Sequence, residues 1–192
     1  MNTQNNSLER FLEPGKVYRR EMLLPYSTAI DRTLKYQVQK EILEKVGAGL
    51  YYYPQKSRFG LMSPNTPELI RAFLKEDYFL LLSWNHYNTL GLGLTQLYNQ
   101  TVVYNRKRHE AIRLAGQQFD FRRPTKGFPL VLTREFLLVD LMNNLSELSE
   151  EPQTIKKNIA KQLHHFDRAK LLDLANQHGK IGTKKFFSNI KG

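Results

Sequence analysis

Cysteine is absent from the 192 residues, and that lack removes disulfide frameworks, thiol nucleophiles and zinc sites built on thiolates. Long apolar runs are missing too. Stretches such as Phe79 to Leu82 fall far short of the roughly 20 residues that a membrane-spanning helix needs, so no membrane partner is expected. Residues Met1 to Glu13 are polar and lack the basic-then-apolar order of a secretory signal, so a cytoplasmic location is expected. Acidic residues are outnumbered, 18 Asp and Glu against 29 Lys and Arg.

Catalytic patterns are equally scarce. No Asp or Glu is followed two positions later by Lys, a spacing that many metal-dependent nucleases use. His164 and His165 are adjacent, and neighbouring helical residues point about 100° apart, so one face cannot offer both to one ion. Gly91-Leu92-Gly93 is not followed by the third glycine of a dinucleotide fingerprint. Asp120 is flanked by Arg122 and Arg123 and reads as a structural ion pair. Nothing pairs a serine, threonine or tyrosine with a base at a defined spacing. The expectation is a protein that is not an enzyme, with no catalytic residues, no metal and no cofactor.

What is present is a core and a charge. Hydrophobic residues make up 41% and aromatic residues 11%, enough to fold. The net charge of +11 attracts polyanions over long range, which makes nucleic acid the leading partner class. The excess is uneven. Residues 151–192 hold 9 Lys or Arg against 3 acids, an excess of six, and residues 1–53 hold 8 against 6, an excess of two. A nearly balanced N-terminal reading head with a basic second part that adds phosphate attraction fits that distribution.

The first fifty residues carry an ordered set of signals. Ser7 is placed to cap a short helix with Leu8, Phe11 and Leu12 on one face, ended by Pro14-Gly15. A second helix is predicted over Tyr18 to Leu24 and is stopped by Pro25. Ser27 is expected to cap a third, in which Ile30, Leu34, Val38 and Ile42 recur at spacing four and Thr28, Arg32, Lys35 and Gln39 take the opposite face, flanked by Tyr36. Those polar types bond base edges and phosphates. Residues 44–53 then read as strand, glycine turn and aromatic strand, that is, a hairpin directly behind the helix. Short helix, tight turn, polar-faced helix and hairpin together are the signature of a winged helix-turn-helix.

The segments Ser27-Thr28-Ala29-Ile30-Asp31-Arg32-Thr33-Leu34 and Val46-Gly47-Ala48-Gly49-Leu50-Tyr51 resemble the helix-and-wing pattern of the AbiE-type antitoxin family. The likeness continues through Arg58-Phe59-Gly60, Asn88-Thr89-Leu90-Gly91-Leu92, Phe119-Asp120-Phe121-Arg122-Arg123 and Gly179-Lys180-Ile181-Gly182-Thr183-Lys184-Lys185. The resemblance implies a repressor of its own operon, bound to double-stranded operator DNA, that counters a nucleotidyltransferase-like toxin. It is to a short variant, without room for the long separate C-terminal domain of larger relatives.

The fold expected is α+β, with the winged helix-turn-helix in residues 1–54. A mixed domain in residues 55–192 has a small antiparallel sheet and a helical C-terminal end, and serves toxin antagonism, oligomerisation or auxiliary DNA contact. Strands are predicted at Thr101 to Tyr104, Ile112 to Ala115 and Gln118 to Phe121. Helices are predicted from Pro67 to Leu74, Trp84 to Leu90 after Ser83, Thr133 to Leu145, Ile155 to His164, Asp167 to Gln177 and Thr183 to Ile190. The DNA-contacting set is Arg19, Arg20, Ser27, Thr28, Arg32, Lys35, Tyr36, Gln39 and Lys45, with Lys56 and Arg58 at the exit of the wing. Auxiliary basic contacts are Arg106, Lys107 and Arg108 on a loop tip and Lys184 and Lys185 at a helix start. The alternative is a protein-interaction module that binds a toxin without specific DNA binding.

Overall fold

The computed structural model describes residues 5–190 and divides the chain into two units. The first comprises residues up to Asp77 together with Ile112–Gln118, and the second comprises Tyr78–Ala111 and Phe119 onward. The boundary at 77/78 is later than the 54/55 expected. The protein is mixed α+β, and no helix among the described residues is long and apolar enough to cross a membrane.

The first unit opens with α1 (Asn5–Phe11), which starts two residues before Ser7 and so leaves that residue inside the helix rather than at its cap. The side chain of Ser7 lies outside the described residues. The turn through Gly15, at φ 86°, leads into β1 (Val17–Arg19). This strand corrects the expectation of a helix from Tyr18. Val17 and Tyr18 are β-formers, both buried, and β1 pairs antiparallel with β3 (Leu50–Tyr52) in the register Val17 to Tyr52. The helical part shrinks to α2 (Arg20–Leu23) and a 3₁₀ turn, Leu24–Tyr26, with Pro25 in its first positions.

Next comes α3 (Ile30–Gln39), then β2 (Glu44–Gly47), which pairs with β3 across the glycine turn and completes a three-stranded antiparallel sheet in the order β1-β3-β2. Gly49 takes φ 67°, which a side-chain-bearing residue adopts only with strain. Gly47 leaves room for a close neighbour. A Cβ there would sit 2.8 Å from a Leu114 methyl, because the hairpin tip 112–118 lies on β2 and the Ala115 N–H donates to the Val46 carbonyl at 2.8 Å. Leu8, Leu12, Tyr18, Leu23, Ile30, Leu34 and Leu43 form one core cluster of this unit.

The segment expected as the exit of the wing, with Lys56 and Arg58, is a second hairpin, β4 (Lys56–Ser57) and β5 (Gly60–Leu61). After it α4 (Thr66–Leu74) starts where Asn65 accepts the Glu68 N–H at 3.1 Å, and Pro67 occupies the first turn. Glu68 in turn accepts the Val17 N–H, which ties α4 to β1. That packing is why the unit extends past Pro54.

In the second unit β6 (Leu80–Ser83), which the sequence reading missed, pairs antiparallel with β7 (Thr101–Tyr104). Hairpin strands β8 (Glu110–Leu114) and β9 (Gln117–Arg122) meet at Ala115-Gly116, both with positive φ. β9 runs parallel to β7, so the sheet of order β6-β7-β9-β8 is mixed rather than purely antiparallel. Ser83 caps residues 84–90 in a capping box with His86, and Gly91 at φ 73° ends them, but the segment is 3₁₀. The helical end consists of α5 (Arg134–Asn144), α6 (Pro152–Gln162), α7 (Arg168–His178) and α8 (Ile181–Asn189). Thr133 and Asp167 cap α5 and α7. α5 is buried at every position from Phe136 to Leu141, as a helix surrounded by core must be.

Candidate nucleic-acid interface

The exposed face of α3 is set by which of its positions the core consumes. Ile30, Leu34 and Gln37 are buried and Val38 half-buried. Ile42, expected on the same stripe, lies beyond the helix, and Leu43 fills the core instead. The burial of Gln37 is unexpected. Its amide donates to Glu9 at 3.1 Å, while its own carbonyl oxygen has no hydrogen-bond partner. With that side spent, Thr28, Arg32, Lys35, Tyr36 and Gln39 are all exposed. Arg32 and Lys35 have no ion-pair partner among the described residues. Lys40, at the C-cap of α3 and 5.7 Å from the Tyr36 ring, adds a cation that the sequence reading omitted.

Ser27 does not cap α3. The N-cap position is Ala29, and the buried Ser27 hydroxyl instead accepts the Ala29 N–H at 3.3 Å and lies 2.8 Å from the Thr33 hydroxyl, which donates to the Ala29 carbonyl. Ser27 therefore shapes the turn that enters α3. Arg20 is also committed. Its guanidinium makes two parallel bonds to Asp31, at 2.6 and 2.7 Å, and the contact holds the Asp31 carboxyl below its usual range. Arg19 pairs with Glu21 at 3.2 Å, and Glu21 also accepts from Lys75 at 2.7 Å, a hydrogen bond that lowers the Glu21 carboxyl.

Lys45 in β2 is exposed, as are Lys56 and Arg58 on the second hairpin. Arg58 lies 4.7 Å from the centroid of the Phe59 ring, and Phe59 is 85% exposed. Beside the expected Lys56 and Arg58, the exposed Phe59, Leu61 and Met62 add apolar surface to this hairpin.

Of the auxiliary residues, Arg106 to Arg108 do form a loop. It is turned by Asn105, whose side-chain oxygen accepts the N–H groups of Lys107 and Arg108 at 2.8 and 2.6 Å. Arg106 lies 3.7 Å from the Tyr78 ring centroid and Arg108 pairs with Glu110. α8 begins at Ile181 rather than Thr183. The Lys184 ammonium donates to the carbonyl of Asn176, in the last turn of α7, where a cation is favoured by the helix dipole.

The second unit contains a polar centre with no local sequence signal. Asp140 is buried on α5 and accepts the Tyr87 and Tyr104 hydroxyls at 2.6 and 2.7 Å. The Asn144 amide donates to the Tyr104 oxygen, to the Tyr87 oxygen and to the Asp140 carbonyl. Burial raises the Asp140 carboxyl above its ordinary range despite these donors, and burial likewise raises both tyrosines. Arg122 bonds Asp120 at 2.6 Å and Glu147 at 2.7 Å; burial opposes its charge, but the two carboxylates prevail and raise it. Asp120 is thus in the ion pair expected of it. No group of three or more His, Asp or Glu among the described residues could hold a metal ion.

No known protein family, curated protein or solved structure matches the chain.

Proposed function

We propose that the chain is a sequence-specific DNA-binding repressor whose first unit is a winged helix-turn-helix. The observation that carries this reading is the exposed row Thr28, Arg32, Lys35, Tyr36 and Gln39 on α3. That helix follows a short helix and a tight turn and precedes the β2–β3 hairpin, with β1 closing the sheet. A helix so placed enters a major groove with its polar face leading, while the hairpin lies along the backbone. Arg32 and Lys35 are the base or phosphate contacts, Lys45 serves the wing, and Arg20 acts by offsetting the negative charge of Asp31 next to Arg32. Repression of its own operon, and a role as antitoxin to a nucleotidyltransferase-like toxin, are the parts of the proposal that rest on the family resemblance.

The test is fluorescence anisotropy with duplex DNA from upstream of the gene. Arg32→Ala and Lys35→Ala are each expected to weaken specific binding by about 1–3 kcal/mol with unchanged thermal unfolding. Absence of specific binding at moderate salt, or full binding by both variants, refutes the assignment.

A second reading, a module that holds a protein partner without specific DNA binding, is favoured by a groove of about 850 Å³ in the second unit. Its wall includes Met142, Leu145, Phe186 and Ile190, with Lys156 and Lys157 beside them. Toxin inhibition lost in Lys156→Glu/Lys157→Glu while operator binding persists supports that reading for the second unit alone.

A further inference from the structure

We propose that a second cavity in this unit, separate from the DNA-reading face, binds a small phosphorylated organic molecule. Its volume is about 940 Å³, within the size range of small-molecule sites. Phe128 and Phe136 contribute apolar wall, and the polar centre of Tyr104, Asp140 and Asn144 forms part of the lining.

The charges around this space do not cancel. Three carboxylates line it, and each is already committed: Asp120 and Glu147 to Arg122, and Asp140 to two tyrosines. Arg122 is offset by the same pairs, in which its one charge faces two carboxylates. Four further cations, Arg123, Lys126, Lys180 and Lys184, line the cavity with no carboxylate partner among the described residues. The ammonium groups of Lys180 and Lys184 are positioned by the carbonyls of Asn143 and Asn176, which orient a charge without neutralising it.

These cations come from separate stretches of chain that the structure holds together. The His178 ring nitrogen Nδ1 lies 3.2 Å from the carbonyls of Lys126 and Gly127, anchoring that turn to the end of α7. Asn143 on α5 accepts the Lys180 N–H at 2.8 Å and the Thr183 hydroxyl at 2.8 Å, anchoring the start of α8. Gly182, in the first turn of α8, lines the cavity and has no atom within 4 Å of where a Cβ would stand, so an oxyanion has room to approach that backbone.

Four cations without a carboxylate partner among the described residues, in a lining whose five Lys and Arg outnumber its three Asp and Glu, call for a ligand with more than one negative charge, and a phosphate monoester supplies it with strong acceptor oxygens. The apolar wall and the volume call for an organic portion as well. A nucleoside monophosphate and a sugar phosphate share this chemistry.

The experiment is isothermal titration of the full chain at low salt with AMP, glucose 6-phosphate, inorganic phosphate, and adenosine and sulfate as controls. One or both organic phosphates are expected to bind saturably at one site per chain, at least tenfold more tightly than adenosine or sulfate. Preference for AMP assigns a nucleotide, and preference for glucose 6-phosphate assigns a sugar phosphate. Arg123→Gln/Lys126→Gln is expected to weaken binding at least tenfold, with the melting temperature of the unliganded protein unchanged, and Lys126→Arg is expected to retain it. The proposal is overturned by no saturable binding of either organic phosphate at millimolar concentration, by equal binding of sulfate, or by undiminished binding in the double variant. It is also overturned if duplex DNA, and neither organic phosphate, is the ligand that the double variant loses.

Discussion

Replacing Tyr104 by Phe removes one oxygen atom from the buried centre around Asp140 and leaves the ring in place. The hydroxyl donates to Asp140 at 2.7 Å and accepts from Asn144 at 3.2 Å. A hydrogen bond to a charged group contributes about 1.5–3 kcal/mol, against about 0.5–1.5 kcal/mol for a neutral one. The penalty is therefore expected to reach about 2–3 kcal/mol where Asp140 is ionised. Its pH dependence follows from the raised folded-state value of Asp140. An acid whose value is raised by folding supports the native state most below its unfolded value and costs stability as pH climbs through its folded value. Tyr104 opposes that rise by donating to the carboxylate, so its loss raises Asp140 further and makes the variant lose more over the same climb. Each additional unit adds about 1.4 kcal/mol at pH values above both. Urea denaturation at pH 5 and pH 8 reads this difference. The only tryptophan, Trp84, is buried in the same core and reports on it by fluorescence. A penalty that is equal at the two pH values, or larger at pH 5, refutes an ionisable carboxylate at the heart of this network.

Leu34→Ala, at a fully buried position of α3, is expected to cost about 2–5 kcal/mol of stability and to weaken DNA binding only as the folded fraction falls; a stable variant that fails to bind DNA would place Leu34 on the contact face instead. Tyr87 and Tyr104 are both held protonated by burial, so the stability they contribute is complete below pH 10 and lost above it, by about 1.4 kcal/mol per pH unit for each tyrosine. Alkaline unfolding followed by Trp84 fluorescence should therefore coincide with the late rise in tyrosinate absorbance, and ionisation of both tyrosines in a still-folded protein would contradict their burial.

The elements legible in the sequence are those with local punctuation. Ser83, Thr133 and Asp167 mark helix starts because a short polar side chain satisfies backbone donors within three residues of itself. Gly49 and Gly91 mark turns because both have positive φ. The missed strands lack such marks. β1 is three residues long and is strand only because β3, more than thirty residues later, pairs with it. β6 is an unalternating Leu-Leu-Leu-Ser whose partner β7 comes about twenty residues later. The parallel pairing of β7 with β9 is likewise a nonlocal choice, made against the expectation that neighbouring short strands form hairpins.

The candidate interface divides along the same line. The polar face of α3 was readable because a helix repeats every 3.6 residues, so removing the buried positions leaves Arg32, Lys35 and Gln39 together whatever the rest of the chain does. Which cations remain available was not readable, because pairing is a matter of tertiary distance. Arg20 and Asp31 stand 11 positions apart and form a bidentate pair. That pair subtracts a cation from the expected contact set and also gives the acid next to Arg32 a cation of its own. The same logic applies to Asp120, Arg122 and Glu147, which look in sequence like scattered charges and in the fold pair as one guanidinium between two carboxylates at the wall of a cavity. An excess of six positive charges in residues 151–192, from 9 Lys and Arg against 3 acids, therefore does not describe a uniform basic surface. Part of it is gathered at Lys180 and Lys184, where neutral carbonyls hold the ammonium groups beside a cavity whose carboxylates are all engaged elsewhere. The net charge of the chain alone does not distinguish the two proposed sites; what differs between them is the local balance of paired and unpaired charge, with Arg32 and Lys35 unpaired among the described residues on an exposed helix face and Lys180 and Lys184 beside a cavity.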